Sequence, residues 1–288
     1  MNVLRYIGLI SVGMLVAFAT EAQSLKAASE VQNNGVVKTQ DSQKFLVQGI
    51  PFTMIYVKGG SFDMGATAEQ AEGKDADENP VHKVALSSFY IGECEVTQEL
   101  WQLVMGTTVT QQRDKANPAW PLRGEGAKYP MYYVNFNEVQ EFIAKLNEMT
   151  GQNFALPTEA QWEYAARGGN KSARNRFSGD AVLENVGWFA GNANETNHPV
   201  AQKSANELGI YDMSGSVWEW CNDWYAIRSY SDKQNAKANP QGVASGEDMV
   251  LRGGCILTEE NSCRNSNRGH MNPEYRNSFT GFRLVLVP

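Results

Sequence analysis

The sequence has few of the residues from which metal and redox centres are built. Its 288 residues include four cysteines and three histidines. The histidines, His82, His198 and His270, stand far apart without a regular spacing, so a histidine-built metal site is not predicted. Four cysteines are too few for a disulfide-rich scaffold, although an even number permits one or two bridges.

Long runs of basic residues are also missing. The formal net charge is −7 and the pI is near 5.2, and Lys and Arg form no extended run. Nucleic acid and anionic membrane surfaces are therefore not expected partners. Beyond the first residues no apolar run is long enough to cross a bilayer, so no membrane span is predicted in the mature chain.

The N-terminus carries the one long apolar run. Arg5 precedes an apolar stretch that is short for a transmembrane helix, and small residues follow as far as Ala22. This layout predicts a signal peptide over residues 1–22, cleaved near Ala22, and export to the periplasm or exterior of a bacterium. Residues 23–44 are polar and predict a flexible linker. One folded domain over residues 45–288 remains.

Turn residues divide this domain into short elements. Apolar, strand-rich stretches lie on both sides of Gly59-Gly60 and of Ser87-Ser88, which predicts strands joined by tight turns. From Phe177 onward the chain is rich in Gly, Asn and Ser, which is typical of short strands and long ordered loops. We predict an α+β fold with little regular secondary structure.

Three segments carry the signals of a helix start. Thr97, Asn137 and Thr158 each precede a segment with helical apolar periodicity, and Glu or Gln residues follow in the first turn. Because Ser, Thr, Asn and Asp accept hydrogen bonds from the free N–H groups of a first turn, we expect helices that begin at these positions.

Six motifs occur in an order and rough spacing that point to one family. They are FDMG at 62–65, ECEVTQELW at 93–101, ALPTEAQWEYAARGG at 155–169, ELGIYDMSGSVWEWCNDWY at 207–225, LRGG at 251–254 and GFRLVLVP at 281–288. With these motifs the chain resembles the sulfatase-modifying-factor, or formylglycine-generating-enzyme, family from about Ile50 to the end. The resemblance implies a compact fold related to C-type lectins, with structural calcium. It also implies that relatives with activity use copper and oxygen to oxidise a cysteine in a sulfatase Cys-x-Pro-x-Arg segment to formylglycine.

The copper-binding cysteines of such enzymes are separated by four residues, whereas seven residues separate Cys255 and Cys263. Counting forward from Gly-Gly puts Cys263 at the second catalytic position and Thr258 at the first. Counting backward from the C-terminal motif puts Cys255 at the first position and Glu260 at the second. Since Cu(I) needs both soft thiolates, authentic activity is not expected. The alternatives are thiols that are buried or bridged, with Cys221 as a partner for Cys263, and a rearranged loop in which Cys255 and Cys263 bind copper together.

The resemblance also implies calcium ligands. They fall on Ser216 and Glu219 within SVWEW, and on Asn185 and Val186 in a second loop. Glu219 lies between two tryptophans, where a carboxylate needs a partner, and calcium supplies one.

The C-terminal segment combines arginines with aromatic residues. Arg264, Arg268, Tyr275 and Arg276 are candidates for a surface that binds an acidic or sugar-like ligand. The alternative is that the arginines satisfy backbone groups in loops that lack regular hydrogen bonding.

These observations predict an exported family member that acts as a binding or accessory module for an unknown protein or glycan ligand. One alternative is a copper-dependent formylglycine-generating oxidase that acts on exported sulfatases. A second alternative is a structural component of the cell surface.

Overall fold

The computed structural model describes residues 34–39, 41–231 and 238–286. The predicted signal peptide and residues 23–33 of the predicted linker lie outside these ranges. A six-stranded sheet orders its strands as β1 (Asn34–Lys38), β2 (Ser42–Val47), β3 (Ile50–Val57), β6 (Phe89–Gly92), β12 (Val285–Leu286) and β7 (Phe154–Ala155). A hairpin joins β4 (Gly60–Met64) to β5 (His82–Leu86), and a four-stranded sheet orders β10 (Gly269–Met271), β9 (Met249–Arg252), β8 (Trp218–Trp224) and β11 (Thr280–Gly281).

The C-terminal strands pair with strands from earlier in the chain. Strand β12 pairs antiparallel with both β6 and β7 and lies between them. Strand β11 runs parallel to β8, with Gly281 opposite Glu219. This pairing brings the last motif of the sequence beside the tryptophan-rich motif of β8.

Helices connect the sheets. They are α1 (Gln98–Met105), α2 (Val109–Ala116), α3 (Phe136–Thr150), α4 (Glu159–Ala166) and α5 (Leu183–Val186). The predicted caps Thr97 and Thr158 are confirmed, because each side chain accepts a hydrogen bond from an N–H of the first turn. Together the helices and sheets confirm the α+β class of the single domain.

The start of α3 differs from the prediction at Asn137. Asn135 is the cap: its Oδ1 accepts from the Glu138 N–H at 2.9 Å, and the Glu138 side chain reaches back to the Asn135 N–H. This reciprocal arrangement needs Glu or Gln three residues after the cap. Asn137 also has such a residue, Gln140, but Asn137 lies inside the helix, after its first residue Phe136.

The folded part begins before the predicted boundary at Phe45. Strands β1 and β2 pair from Asn34 opposite Val47 to Lys38 opposite Gln43, so residues 34–38 and 42–44 are part of the sheet and not of a flexible linker. A sheet edge is held by backbone hydrogen bonds and tolerates polar, exposed side chains, which is why composition alone suggested a linker here.

The core is rich in aromatic side chains. Trp101 of α1 stacks on Phe142 of α3 with ring centroids 5.4 Å apart, and Phe282 packs edge-on against both rings. Such pairs contribute about 0.5–1.5 kcal/mol each beyond their buried area. Within the described ranges, no helix is both long and apolar enough to cross a membrane.

Candidate functional site

The loop after β9 contains the two cysteines that the sequence singles out. Gly253 and Gly254 both have positive φ angles, 100° and 76°, and turn the chain away from the strand. The Thr258 Oγ1 then lies 3.6 Å from the Cys263 Sγ. The same hydroxyl accepts from the Cys255 N–H and donates to the Cys255 carbonyl, both at 2.9 Å. The structure therefore places Thr258 opposite Cys263, as the forward count predicts.

The thiols of this loop are shielded from water. Cys255 and Cys263 are both buried, and no cysteine among the described residues forms a disulfide. The predicted bridge between Cys263 and Cys221 is thus not formed, and Cys221 lies in a different hydrophobic cluster. Burial raises the pKa of Cys255 to about 11 and that of Cys263 to about 12. Both thiols therefore stay protonated at neutral pH.

A two-thiolate copper site does not fit these residues. Cu(I) favours a pair of soft thiolate ligands, and the group opposite Cys263 is the hard hydroxyl oxygen of Thr258. The Cys255 sulfur, the remaining candidate, accepts the Leu257 N–H at 3.4 Å within its own turn.

Glu219, the first predicted calcium ligand, has protein partners on both carboxylate oxygens. Arg283 donates to Oε1 from Nη2 and to Oε2 from Nε, both at 2.6 Å, and the Trp162 Nε1 donates to Oε2 at 2.7 Å. All three side chains are fully buried. The partner that a buried Glu219 requires is therefore Arg283. In the sequence, only the Gly-Phe-Arg motif near the C-terminus pointed to this arginine.

Two further buried carboxyl groups lie next to this pair. Neither oxygen of Glu95, nor Oδ1 of Asp212, has a hydrogen-bond partner. The predicted ligand Ser216 lies beside Glu95 and acts to lower the pKa of its carboxyl group. Burial, followed by the charge of Asp212, raises the pKa of Glu95, and burial raises the pKa of Asp212 to about 6. Sequence analysis missed both residues, although each lies in a motif of the family. Their free oxygens fit a calcium ion better than those of Glu219 do.

The second predicted calcium loop is also held by protein groups. The Asn185 side-chain amide donates to Asp180 Oδ2 at 2.9 Å, and the Asn185 carbonyl accepts the Ser204 N–H at 3.0 Å. Val186 is buried against Cys263 in a small hydrophobic cluster. Among the residues that the structure describes, no three His, Cys, Asp or Glu side chains are grouped as metal ligands.

Most of the predicted ligand surface lies inside the molecule. Arg264 is fully buried and makes a two-pronged ion pair with Glu78 at 2.8 and 2.6 Å. Arg268 is buried and pairs in the same way with Glu159 at 2.6 and 2.9 Å. The prediction that these two arginines face a ligand is wrong, because they satisfy acidic and backbone groups of packed loops.

The remaining residues of that predicted surface are accessible. Tyr275 is 53% exposed, and Arg276 is half-buried with its guanidinium 3.5 Å from Glu138. Together they could offer an aromatic ring and a partly paired cation to a ligand, over a much smaller area than predicted.

A cavity of about 270 Å³ lies between β3 and the start of α1. Its apolar wall includes Phe52, Met54 and Leu100, and its lining also includes Cys94 and Lys128. The cavity could not be predicted from the sequence, because its walls come from segments far apart in the chain.

Comparison with known proteins assigns the family. Residues 40–287 match the family of the sulfatase-modifying factor enzyme 1-like domain, and the chain belongs to this family. It is similar to the formylglycine-generating enzyme of Streptomyces coelicolor, with 29% identity over 80% of this chain and 88% of that enzyme.

Other relatives carry different names. The chain is 30% identical to the serine/threonine-protein kinase pkn1 of Chlamydia pneumoniae over 93% of its length, and it spans 43% of that protein. Among solved structures, the Treponema denticola variable protein 1 superposes with a TM-score of 0.73 at 30% identity, covering 87% of this chain and all of that one. The fold is therefore shared by proteins whose names imply different activities, and the activity must be argued from the site.

Proposed function

We propose that this chain is an exported binding or accessory member of the family that does not generate formylglycine. The contact between Thr258 and Cys263 carries the proposal, because a hydroxyl group stands where the second thiolate would be needed.

The ligand of this module is a protein or a glycan. Tyr275 and Arg276 remain from the surface expected to contact it, and exposed aromatic rings and arginine forks suit sugars and acidic groups. The cavity beside β3 can accept a small apolar group.

We place the calcium ion expected for the family at Asp212 and Glu95. Their free, buried oxygens are hard ligands of the kind that calcium takes, and nearby backbone carbonyls can complete such a shell. Bound calcium would stabilise the loop before β8 and neutralise two buried carboxylates. Asp212→Asn is expected to abolish calcium-dependent protection against thermal unfolding, with Asp63→Asn on the exposed β4 hairpin as the control.

The function is tested with the purified mature chain, Cu(I), oxygen, a thiol reductant and a sulfatase peptide that contains Cys-x-Pro-x-Arg. The enzyme of Streptomyces coelicolor serves as the positive control. We expect no bound copper and an unchanged peptide mass. Conversion of the peptide that is lost in Cys263→Ser would refute the proposal and show an oxidase that acts on sulfatases through a rearranged pair with Cys255.

A further inference from the structure

A lysine ammonium group occupies the loop in which the sequence predicts the second calcium ion. The Lys203 Nζ donates to the Glu184 carbonyl oxygen at 2.8 Å. Glu184 directly precedes the predicted ligands Asn185 and Val186, and all three lie in the short helix α5. The carbonyl therefore meets a positive charge that belongs to the chain itself.

An aromatic ring fixes the position of this charge. The Lys203 Nζ lies 4.0 Å from the ring centroid of Trp188, a distance at which the ring face attracts a cation. The other face of Trp188 is supported by His198, whose ring stacks on it with centroids 3.7 Å apart. Lys203 is thus held from two sides, by a carbonyl oxygen and by an aromatic face.

Asn185, one of the two predicted ligands, has protein partners as well. Asn185 uses its side-chain amide on Asp180 and its carbonyl on the Ser204 N–H. Ser204 follows Lys203 directly, so two adjacent residues satisfy two adjacent carbonyls, one with a charged donor and one with a backbone donor.

We infer that Lys203 replaces a divalent cation in this loop and makes its structure independent of calcium. Calcium and ammonium ions both bind carbonyl oxygens, but the ammonium is covalently attached and cannot be removed by a chelator. Its presence also disfavours entry of a divalent ion, because two positive charges would share one carbonyl. This inference stands apart from the proposed binding function and from the site at Asp212.

Terbium luminescence tests the inference at the loop itself, since a terbium ion that occupies a calcium site near Trp188 is excited through that ring. Four chains are compared: the parent, Lys203→Met, Lys203→Glu and the charge-matched control Lys171→Glu. Each is prepared with Asp212→Asn, so that failure of the site proposed there does not affect the reading. Trp188→Phe in the Lys203→Glu chain assigns the signal to this ring.

The parent and Lys171→Glu are expected to show no Trp188-dependent terbium signal, whereas Lys203→Glu is expected to gain one and to bind one further equivalent. Lys203→Met is expected to melt about 2–4 °C lower than the parent, by the same amount in calcium and in chelator. A Trp188-dependent signal in the parent would overturn the inference. So would a Lys203→Met chain that melts like the parent, or a Lys203→Glu chain that gains no terbium.

Discussion

Replacing Thr258 by cysteine should create a two-thiolate copper site opposite Cys263. The Thr258 Oγ1 lies 3.6 Å from the Cys263 Sγ, so a sulfur in its place would face a second sulfur across the same short gap. The change removes a hydroxyl that makes two hydrogen bonds to Cys255. At about 1 kcal/mol for each bond, the metal-free variant should lose about 2 kcal/mol of unfolding free energy.

Copper should reverse this loss. A ligand at a thousand times its Kd stabilises the folded state by about 4 kcal/mol, so copper-loaded Thr258→Cys should exceed the parent by about 2 kcal/mol. Anaerobic thermal unfolding with and without Cu(I) measures both quantities. For a domain of this size, 1 kcal/mol corresponds to about 2–4 °C in Tm. Thr258→Val, which loses the same hydroxyl without gaining a thiol, should be destabilised and remain insensitive to copper.

Two results would refute the reasoning. If the parent were stabilised by Cu(I) as strongly as Thr258→Cys, the hydroxyl would not be the reason for the missing site. If Thr258→Cys bound no Cu(I) while its thiols remained free by alkylation, the geometry of the loop would be unsuited to copper. The double variant Thr258→Cys/Cys263→Ser should bind no copper and confirms that both sulfurs are needed.

Three further predictions concern stability. Burial raises the pKa of Asp223 to about 7, so the stability that its protonated form contributes is present below about pH 4 and is lost as the pH rises through 7. The unfolding free energy of Asp223→Asn should therefore exceed that of the parent by up to about 4 kcal/mol at about pH 8 and equal it at about pH 4. Urea unfolding at both pH values measures the difference. Arg264→Met should cost about 3–5 kcal/mol, because it leaves Glu78 charged and buried, and Arg264→Met/Glu78→Met should recover most of this loss in the same assay. Asn135→Ala should lower the unfolding free energy by about 1 kcal/mol, and a matched Asn137→Ala should not.

Local signals predicted the starts of three helices to within two residues. Thr97 and Thr158 cap the helices that follow them, because a cap depends on residues within one turn of each other. The same signals predicted Asn137 as a cap instead of Asn135, because they did not include the reciprocal hydrogen bond from the Glu138 side chain. Strand β1 escaped prediction because its partner β2, and not its own composition, determines its conformation.

The site depends on contacts between distant parts of the chain, and most of these contacts could not be predicted from the sequence. Arg283 meets Glu219 across 64 residues, and Arg264 meets Glu78 across 186. No spacing rule predicts such pairs, so a surface role was assigned to Arg264. The position of Thr258 opposite Cys263 could be predicted from the sequence, because only four residues of one loop separate them.

The buried arginines have a consequence for how the surface can change. Three buried ion pairs hold the segment that begins at the end of β9. The arginines are Arg252, Arg264 and Arg268, and each has an acidic partner in the interior. The backbone of that segment is thus determined by side chains that solvent and ligands never reach. The Tyr275 side chain, by contrast, is exposed and takes no part in these ion pairs. Substitutions of Tyr275 should therefore alter the proposed ligand contact while the loop keeps its shape, so that binding and folding can be varied separately.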